Sequence, residues 1–202
     1  MEGVSGTGKS SALRAFLHSP AWTERAGLSG LVLTEHHTGR TVEALSQPTP
    51  ANWLDTLSHT ADYVQALAAA QARMDWDTRG RVNHRLSAVL ERFHFSALLA
   101  CPQLTWEDVA PLDSALAELG FGLCVLTLSE SALAERLATA AVQRHPAWQA
   151  HAQTLGHTAE AQAHALAGQQ ARLLELAERS RLPLRVIAAD GLDLSAVAAQ
   201  LG

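Results

Sequence analysis

Lys9 is the only lysine among 15 basic residues; the other 14 are arginines. It stands in Gly3-Val4-Ser5-Gly6-Thr7-Gly8-Lys9-Ser10, a G-x-x-x-x-G-K-[ST] pattern whose chemistry is phosphate capture. Glycines let consecutive backbone N–H groups turn inward with no Cβ in the way. A compact ammonium suits such a cradle, whereas the planar fork of an arginine is too large for it. The pattern predicts a helix over 10–18 whose N-terminus adds partial positive charge beside the cradle. Gly3, Ser5, Gly6, Thr7, Gly8, Lys9, Ser10 and Ser11 are therefore the expected contacts for ATP. Lys9 would reach the β- and γ-phosphates, and the Ser10 hydroxyl would ligate Mg²⁺. Lys9 is expected at the loop–helix junction, reachable by solvent and unpaired with any core carboxylate.

Other candidates stand where apolar runs end. Leu31 to Thr34 is followed by Glu35, and Leu86 to Leu90 by Glu91-Arg92. Beyond the carboxyl ends of parallel strands is where such sheets bind ligands. If the acceptor is an alcohol, Glu35 is the candidate base for its proton. If the acceptor is already a phosphate, no base is needed, and Glu35 or Glu91 would organise Mg²⁺ and water; Ser10 and Glu91 are the candidate metal residues. Arg92 suits bidentate contact with an anionic oxygen. A solvated carboxylate at Glu35 and a structural Glu91–Arg92 salt bridge are the competing accounts. His36 or His37, directly after Glu35, is a candidate acceptor contact. Arg136 or Arg144 is a candidate to stabilise the transferring phosphoryl charge; Arg79 and Arg81 are candidates for an acceptor phosphate, with a solvated loop as the equal alternative. Trp53 and Tyr63 suit core packing better than base stacking. The ten histidines include no i,i+4 pair on an expected helix, so no transition-metal site is expected.

These residues need a scaffold, and composition bounds it. The chain has 202 residues, a net charge of −5, 48% hydrophobic and 17% charged residues. That is enough apolar material for a core and too little charge for a disordered chain. Mild acidity argues against a nucleic-acid polymer as partner. There is no apolar run long enough for a membrane span and no visible secretory leader. Two cysteines, Cys101 and Cys124, make no disulfide framework. The expected location is the cytoplasm, the expected partner a small-molecule acceptor, and a homodimer is left open.

Strand-like runs at 31–34, 86–90, 123–128 and 184–188 alternate with helical stretches at 50–74, 93–101, 107–119, 132–142, 158–181 and 195–201. Residues 36–50 and 144–156 read as loop and polar segments. Such alternation predicts an α/β fold, one parallel sheet flanked by helices in three layers, as a single domain over 1–202 with a lid segment over 136–157. A phosphate loop should follow a buried strand, yet only Met1 and Glu2 precede Gly3. The first strand is apparently missing or truncated, and an extension of about six to ten residues upstream is expected to carry an apolar β-branched run directly before Glu2.

Glu2 to Ser11 resembles the opening of thymidylate kinases and deoxynucleoside kinases, members of the P-loop kinase group. Leu31-Val32-Leu33-Thr34-Glu35 resembles the second strand of deoxynucleoside kinases, which ends in a catalytic glutamate. Val89 to Ser96 resembles their Glu-Arg-Ser segment and the Asp-Arg-aromatic segment of thymidylate kinases. Leu126-Thr127-Leu128 and the helix with Glu135-Arg136 look like the approach to the lid, and Val186 to Asp190 like the last strand and adenine-side loop. Ser5 stands where thymidylate kinases usually carry an aspartate, and Phe93 where the serine of Glu-Arg-Ser would be. The resemblance implies a P-loop NTPase fold and ATP- and Mg²⁺-dependent phosphoryl transfer to a nucleoside or nucleotide, with Lys9, Glu35 and Arg92 catalytic. It implies acceptor binding by Glu35, His36, Glu91 and Arg92, with Gln71, or Gln65 on the same helix, as the amide that meets a base edge. Two alternatives stay open: a nucleotide-binding module without turnover, and a kinase for a non-nucleotide alcohol.

Overall fold

The computed structural model describes residues 1–26, 30–73, 86–140 and 146–201. Among these residues, four strands form two parallel pairs. β1 (Gly30–Leu33) pairs with β2 (Ser87–Leu90), Val32 opposite Val89, and β3 (Leu123–Thr127) pairs with β4 (Leu184–Ala188), Val125 opposite Val186. Successive strand residues point to opposite faces, and helices pack on both, although Leu184 and Val186 of β4 stay exposed. Leu33, Leu90, Leu123 and Val125 join one cluster with Trp53, Leu57 and Val64 of α5 (Pro50–Ala72) and Val109 and Leu116 of α7 (Trp106–Glu118). Val32 and Val89 pack on the other face, against Leu13 and Phe16 of α1 (Lys9–Leu17) and Ala198 of α11 (Leu194–Leu201). Leu126 and Ile187 meet Leu133 and Leu137 of α8 (Glu130–Ala140) and Leu166 of α10 (Ala159–Ala177). The remaining helices are α2 (Pro20–Ala26), α3 (Glu35–Thr38), α4 (Arg40–Glu43), α6 (His94–Ala100) and α9 (Pro146–Leu155).

Helix starts follow local chemistry. The Thr49 hydroxyl accepts from the Asn52 N–H, the Asn52 side chain accepts from the Thr49 N–H, and Pro50 occupies the first turn. Ser129 accepts the Ala132 N–H at the start of α8. Two segments depart from expectation. Residues 36–50 hold α3 and α4 rather than loop alone, and 144–156 contains α9. In both, polar composition masked short helices that are held by tertiary packing rather than by propensity.

The expected single sheet is instead two. Among the described residues, only Met1 and Glu2 lie between them. The Met1 amino group donates to the Leu90 carbonyl at 2.6 Å, and Arg92 N–H to the Met1 carbonyl at 3.0 Å. Glu2 N–H donates to Cys124 at 2.8 Å, and Leu126 N–H to Glu2 at 3.0 Å. Met1 and Glu2 thus bridge the carboxyl end of β2 to the middle of β3, in the spatial order β1, β2, Met1–Glu2, β3, β4. Among the described residues no helix is long and apolar enough to cross a membrane.

Candidate functional site

The turn from Gly3 to Gly8 joins the Met1–Glu2 bridge to α1. At Gly3, φ is +146°, and a Cβ would stand 2.7 Å from the Leu126 carbonyl oxygen. Only glycine lets the turn leave the sheet so close to β3. Gly8 caps α1 at φ +84°, where a Cβ would meet the Arg136 guanidinium at 3.0 Å. Inside the turn, Thr7 Oγ1 and Lys9 Nζ donate to the Val4 carbonyl at 2.9 and 2.8 Å. Lys9 is at the loop–helix junction as expected, but it is not solvent-reachable: it is 7% exposed. Its stem packs beside the turn, and the ammonium folds back onto a carbonyl. Burial, helped by the nearby Arg92 charge, lowers the Lys9 pKa to about 8 against the opposing pull of Glu2, Glu91 and Glu35.

Beside this turn the ends of β1 and β2 bring an acid–arginine cluster together. Ser10 Oγ donates to Glu91 Oε1 at 2.6 Å, and the Glu35 N–H reaches Glu91 Oε2 at 3.4 Å. Thr38 Oγ1 donates to the Glu91 carbonyl, tying α3 to the end of β2. Arg92 spans two carboxylates, Nη1 to Glu35 at 3.1 Å and Nη2 to Glu43 at 3.0 Å. Arg40 lies across the same two acids at 3.3 and 2.9 Å. Partial burial disfavours the charged form of Glu35, but the Arg92 and Arg40 guanidinium groups outweigh it and hold its carboxyl below the usual range. Burial likewise opposes the Arg92 charge, and Glu43 and Glu35 overcome it. Arg92 takes φ +55°, a left-handed conformation that costs a non-glycine residue about 1–2 kcal/mol. Glu2 supports this corner from below, its buried carboxylate accepting from Phe93 N–H at 2.7 Å and Ser96 Oγ at 2.5 Å.

Lys9, Ser10, Glu35, Glu91 and Arg92 are thus contiguous at one sheet edge. Arg136 joins them from α8, donating to the carbonyls of Thr7 at 3.1 Å and Ala189 at 3.4 Å. Asp190 accepts from the Ser129 N–H and hydroxyl, fixing the loop after β4 to the start of α8. Ser11 and His36 are exposed on the first turns of α1 and α3. Gln71 is not brought to the cluster. Its side-chain oxygen accepts the Leu86 N–H at 3.0 Å, at the opposite end of β2. Trp53 is core, but Tyr63 is exposed rather than packed. Arg79, Arg81 and Arg144 lie outside the described residues, as does part of the 136–157 segment. Glu43 was invisible to sequence reasoning. It sits in a Thr-, Gly- and Pro-rich stretch, and its one local signal is Arg40 three residues earlier, a spacing that suits any exposed helical turn.

The chain matches no family model, no curated protein and no solved structure. Fit to a nucleotide and a divalent cation therefore rests on the donor set. Gly3, Gly6 and Gly8 give the turn the backbone freedom that a phosphate cradle uses, while the Lys9 ammonium lies inside it, on the Val4 carbonyl. Among the described residues no three His, Cys, Asp or Glu side chains form a metal-holding group. Mg²⁺ does not require one, since it is commonly held by one or two carboxylates together with substrate phosphates. Ser10 and Glu91 fit that pattern.

Proposed function

We propose that the chain is an ATP-dependent small-molecule kinase of the P-loop kind, acting on a nucleoside or nucleotide. The observation that carries this reading is the unbroken series of contacts from Ser10 through Glu91 to Glu35 and Arg92, set against a glycine-rich turn with a single buried lysine. The spatial order of the four described strands about Met1–Glu2 supports a three-layer P-loop fold. Gly3 to Ser11 would cradle the phosphates, with Arg136 above the turn. Ser10 and Glu91 would hold Mg²⁺, which when bound neutralises phosphate oxygens and orders them for in-line transfer. Glu35, ionised and facing Arg92, would accept the hydroxyl proton of an alcohol acceptor. Arg92 would release one carboxylate to meet the transferring group.

The test is a thermal-shift and transfer screen with Mg-ATP against nucleosides, nucleotides, sugars and other alcohols. Saturation at 100 times Kd should add about 2.7 kcal/mol of apparent stability, with label moving from the γ-position to a nucleoside or nucleotide. Absence of nucleotide binding overturns the reading. One observation favours the module without turnover: both Arg92 amino groups are already engaged by Glu35 and Glu43. Binding with no transfer to any acceptor would decide for it.

A second expectation isolates Glu91. Its Oε1 takes the Ser10 hydroxyl and its Oε2 the Glu35 N–H, so Glu91→Gln keeps the shape and removes the charge. The Mg²⁺ concentration for half-maximal turnover should rise about tenfold or more, while metal-free ATP binding changes little. A Mg²⁺ titration that superimposes on the wild type would remove Glu91 from the metal site.

A further inference from the structure

Arg92 is closed into a ring of four charges. Glu35 offers Oε2 to Arg92 at 3.1 Å and Oε1 to Arg40 at 3.3 Å. Glu43 offers Oε1 to Arg92 at 3.0 Å and Oε2 to Arg40 at 2.9 Å. Each carboxylate thus joins both guanidinium groups, but the members are not held alike. Arg92 is anchored by its backbone, its N–H donating to the Met1 carbonyl at 3.0 Å. Glu35 starts α3, and its own N–H reaches Glu91 Oε2 at 3.4 Å. Glu43 ends α4, where Arg40 of the same short turn holds its other oxygen. Released from Arg92, Glu43 therefore keeps a partner, and the Arg40 side chain, 45% exposed, can follow it outward. Val42 between them is buried in the core with Trp53 and Leu57. The backbone of α4 stays in place, and the release is a side-chain rotation.

We propose that Glu43 is a specificity-determining residue, a built-in competitor that occupies Arg92 until a phosphate group displaces it. The inference deepens the kinase reading and rests on it for the source of that phosphate, the γ-position of ATP or a phosphate carried by the acceptor. On Arg92 Nη2 one anion replaces another, while Glu35 stays on Nη1 and keeps the guanidinium oriented. A phosphate oxygen replaces the lost ion pair with a charge-assisted bond of the same kind. A neutral alcohol or sugar brings no charge to the exchange and leaves Glu43 in place. The surrounding charge points the same way. Lys9, Arg40 and Arg92 face Glu2, Glu35, Glu43 and Glu91, an excess of negative charge that holds anions off and that Glu43→Gln removes.

The test is a double-mutant cycle on the full chain, Glu43→Gln and Arg92→Gln singly and together, read as binding affinity at one fixed Mg²⁺ concentration. The probes are inorganic phosphate, ATP against ADP, and nucleoside 5′-monophosphates against the matching nucleosides. Glu43→Gln should bind inorganic phosphate about tenfold more tightly than the wild type, the scale of one charge-assisted hydrogen bond. That gain should vanish in the Arg92→Gln background, where no guanidinium is left to uncover. The same gain for ATP but not ADP assigns the phosphate to the γ-position; for monophosphates but not nucleosides, to the acceptor. No gain for any phosphate, or a gain undiminished in the Arg92→Gln background, overturns the competitor. In the wild-type chain, saturating phosphate should shift the NMR signals of the Arg92 side-chain N–H and the Glu43 carboxylate carbon. A Glu43 signal that does not move overturns it as well, whether or not the variants fold. If inorganic phosphate shows the cycle and no nucleotide binds, the kinase reading fails and the competitor stands.

Discussion

Lys9→Met should cost about 10²–10³-fold in turnover, the effect of deleting one preorganised donor to developing charge, while making the free protein more stable. The two effects have one cause. The Lys9 ammonium is buried against the Val4 carbonyl, and its pKa is lowered to about 8. Below pH 8 the folded state carries the desolvated charge in full. Between about 8 and the unfolded value of 10.5, the unfolded state binds a proton that the folded state lacks, so stability rises with pH across that window. The gain is of order 3 kcal/mol, and it should vanish in Lys9→Met. Nucleotide affinity should run the other way, falling as pH rises through about 8 and the ammonium is lost. Denaturant titrations at pH 7 and 10 and binding across the same range check both signs. Turnover of the variant within threefold of wild type would sink the phosphate-loop reading.

What the sequence made legible was local. The glycine turn, the Ser129 cap and the β4 run depend on a few adjacent residues, so their chemistry can be read in one window. Glu35, Glu91 and Arg92 were found because a charge ending an apolar run marks a strand's carboxyl end. Gln71 was misplaced for a reason of length. α5 starts beside α3 and α4 at the site and has 23 residues, so at 1.5 Å per residue it carries Gln71 about 30 Å along its axis. Glu43 was missed because its partner Arg92 is 49 residues away, a contact that no window contains. The buried Lys9 was also unforeseen, since the pattern fixes where a lysine stands but not the carbonyl on which it rests without ligand.

Arg92 carries the second large effect, and Arg92→Ala should lower transfer by about 10³-fold or more, the range for an arginine that meets a transferring phosphoryl group. The accompanying stability changes separate its charge from its backbone. Removing the guanidinium leaves Glu35 and Glu43, both largely shielded, sharing only the more exposed Arg40. Without the Arg92 charge and hydrogen bond, the Glu35 carboxyl is held down less. In the wild type Glu35 is held below its ordinary 4.5, so its stabilising contribution is present above that value and disappears as pH falls through the lower folded one. The variant should therefore lose stability at neutral pH and show a shallower decline into acid. Arg92→Gly loses the same ion pairs but relieves the strain at φ +55°, so it should be about 1 kcal/mol more stable than Arg92→Ala and equally inactive. Urea titrations of the two variants at neutral and acid pH, with transfer assays beside them, test the pair. If Arg92→Ala keeps a tenth of the activity, or if its acid decline matches the wild type, then Arg92 is only the structural partner of Glu35 and Glu43, and the left-handed backbone at the end of β2 serves that clasp rather than the chemistry.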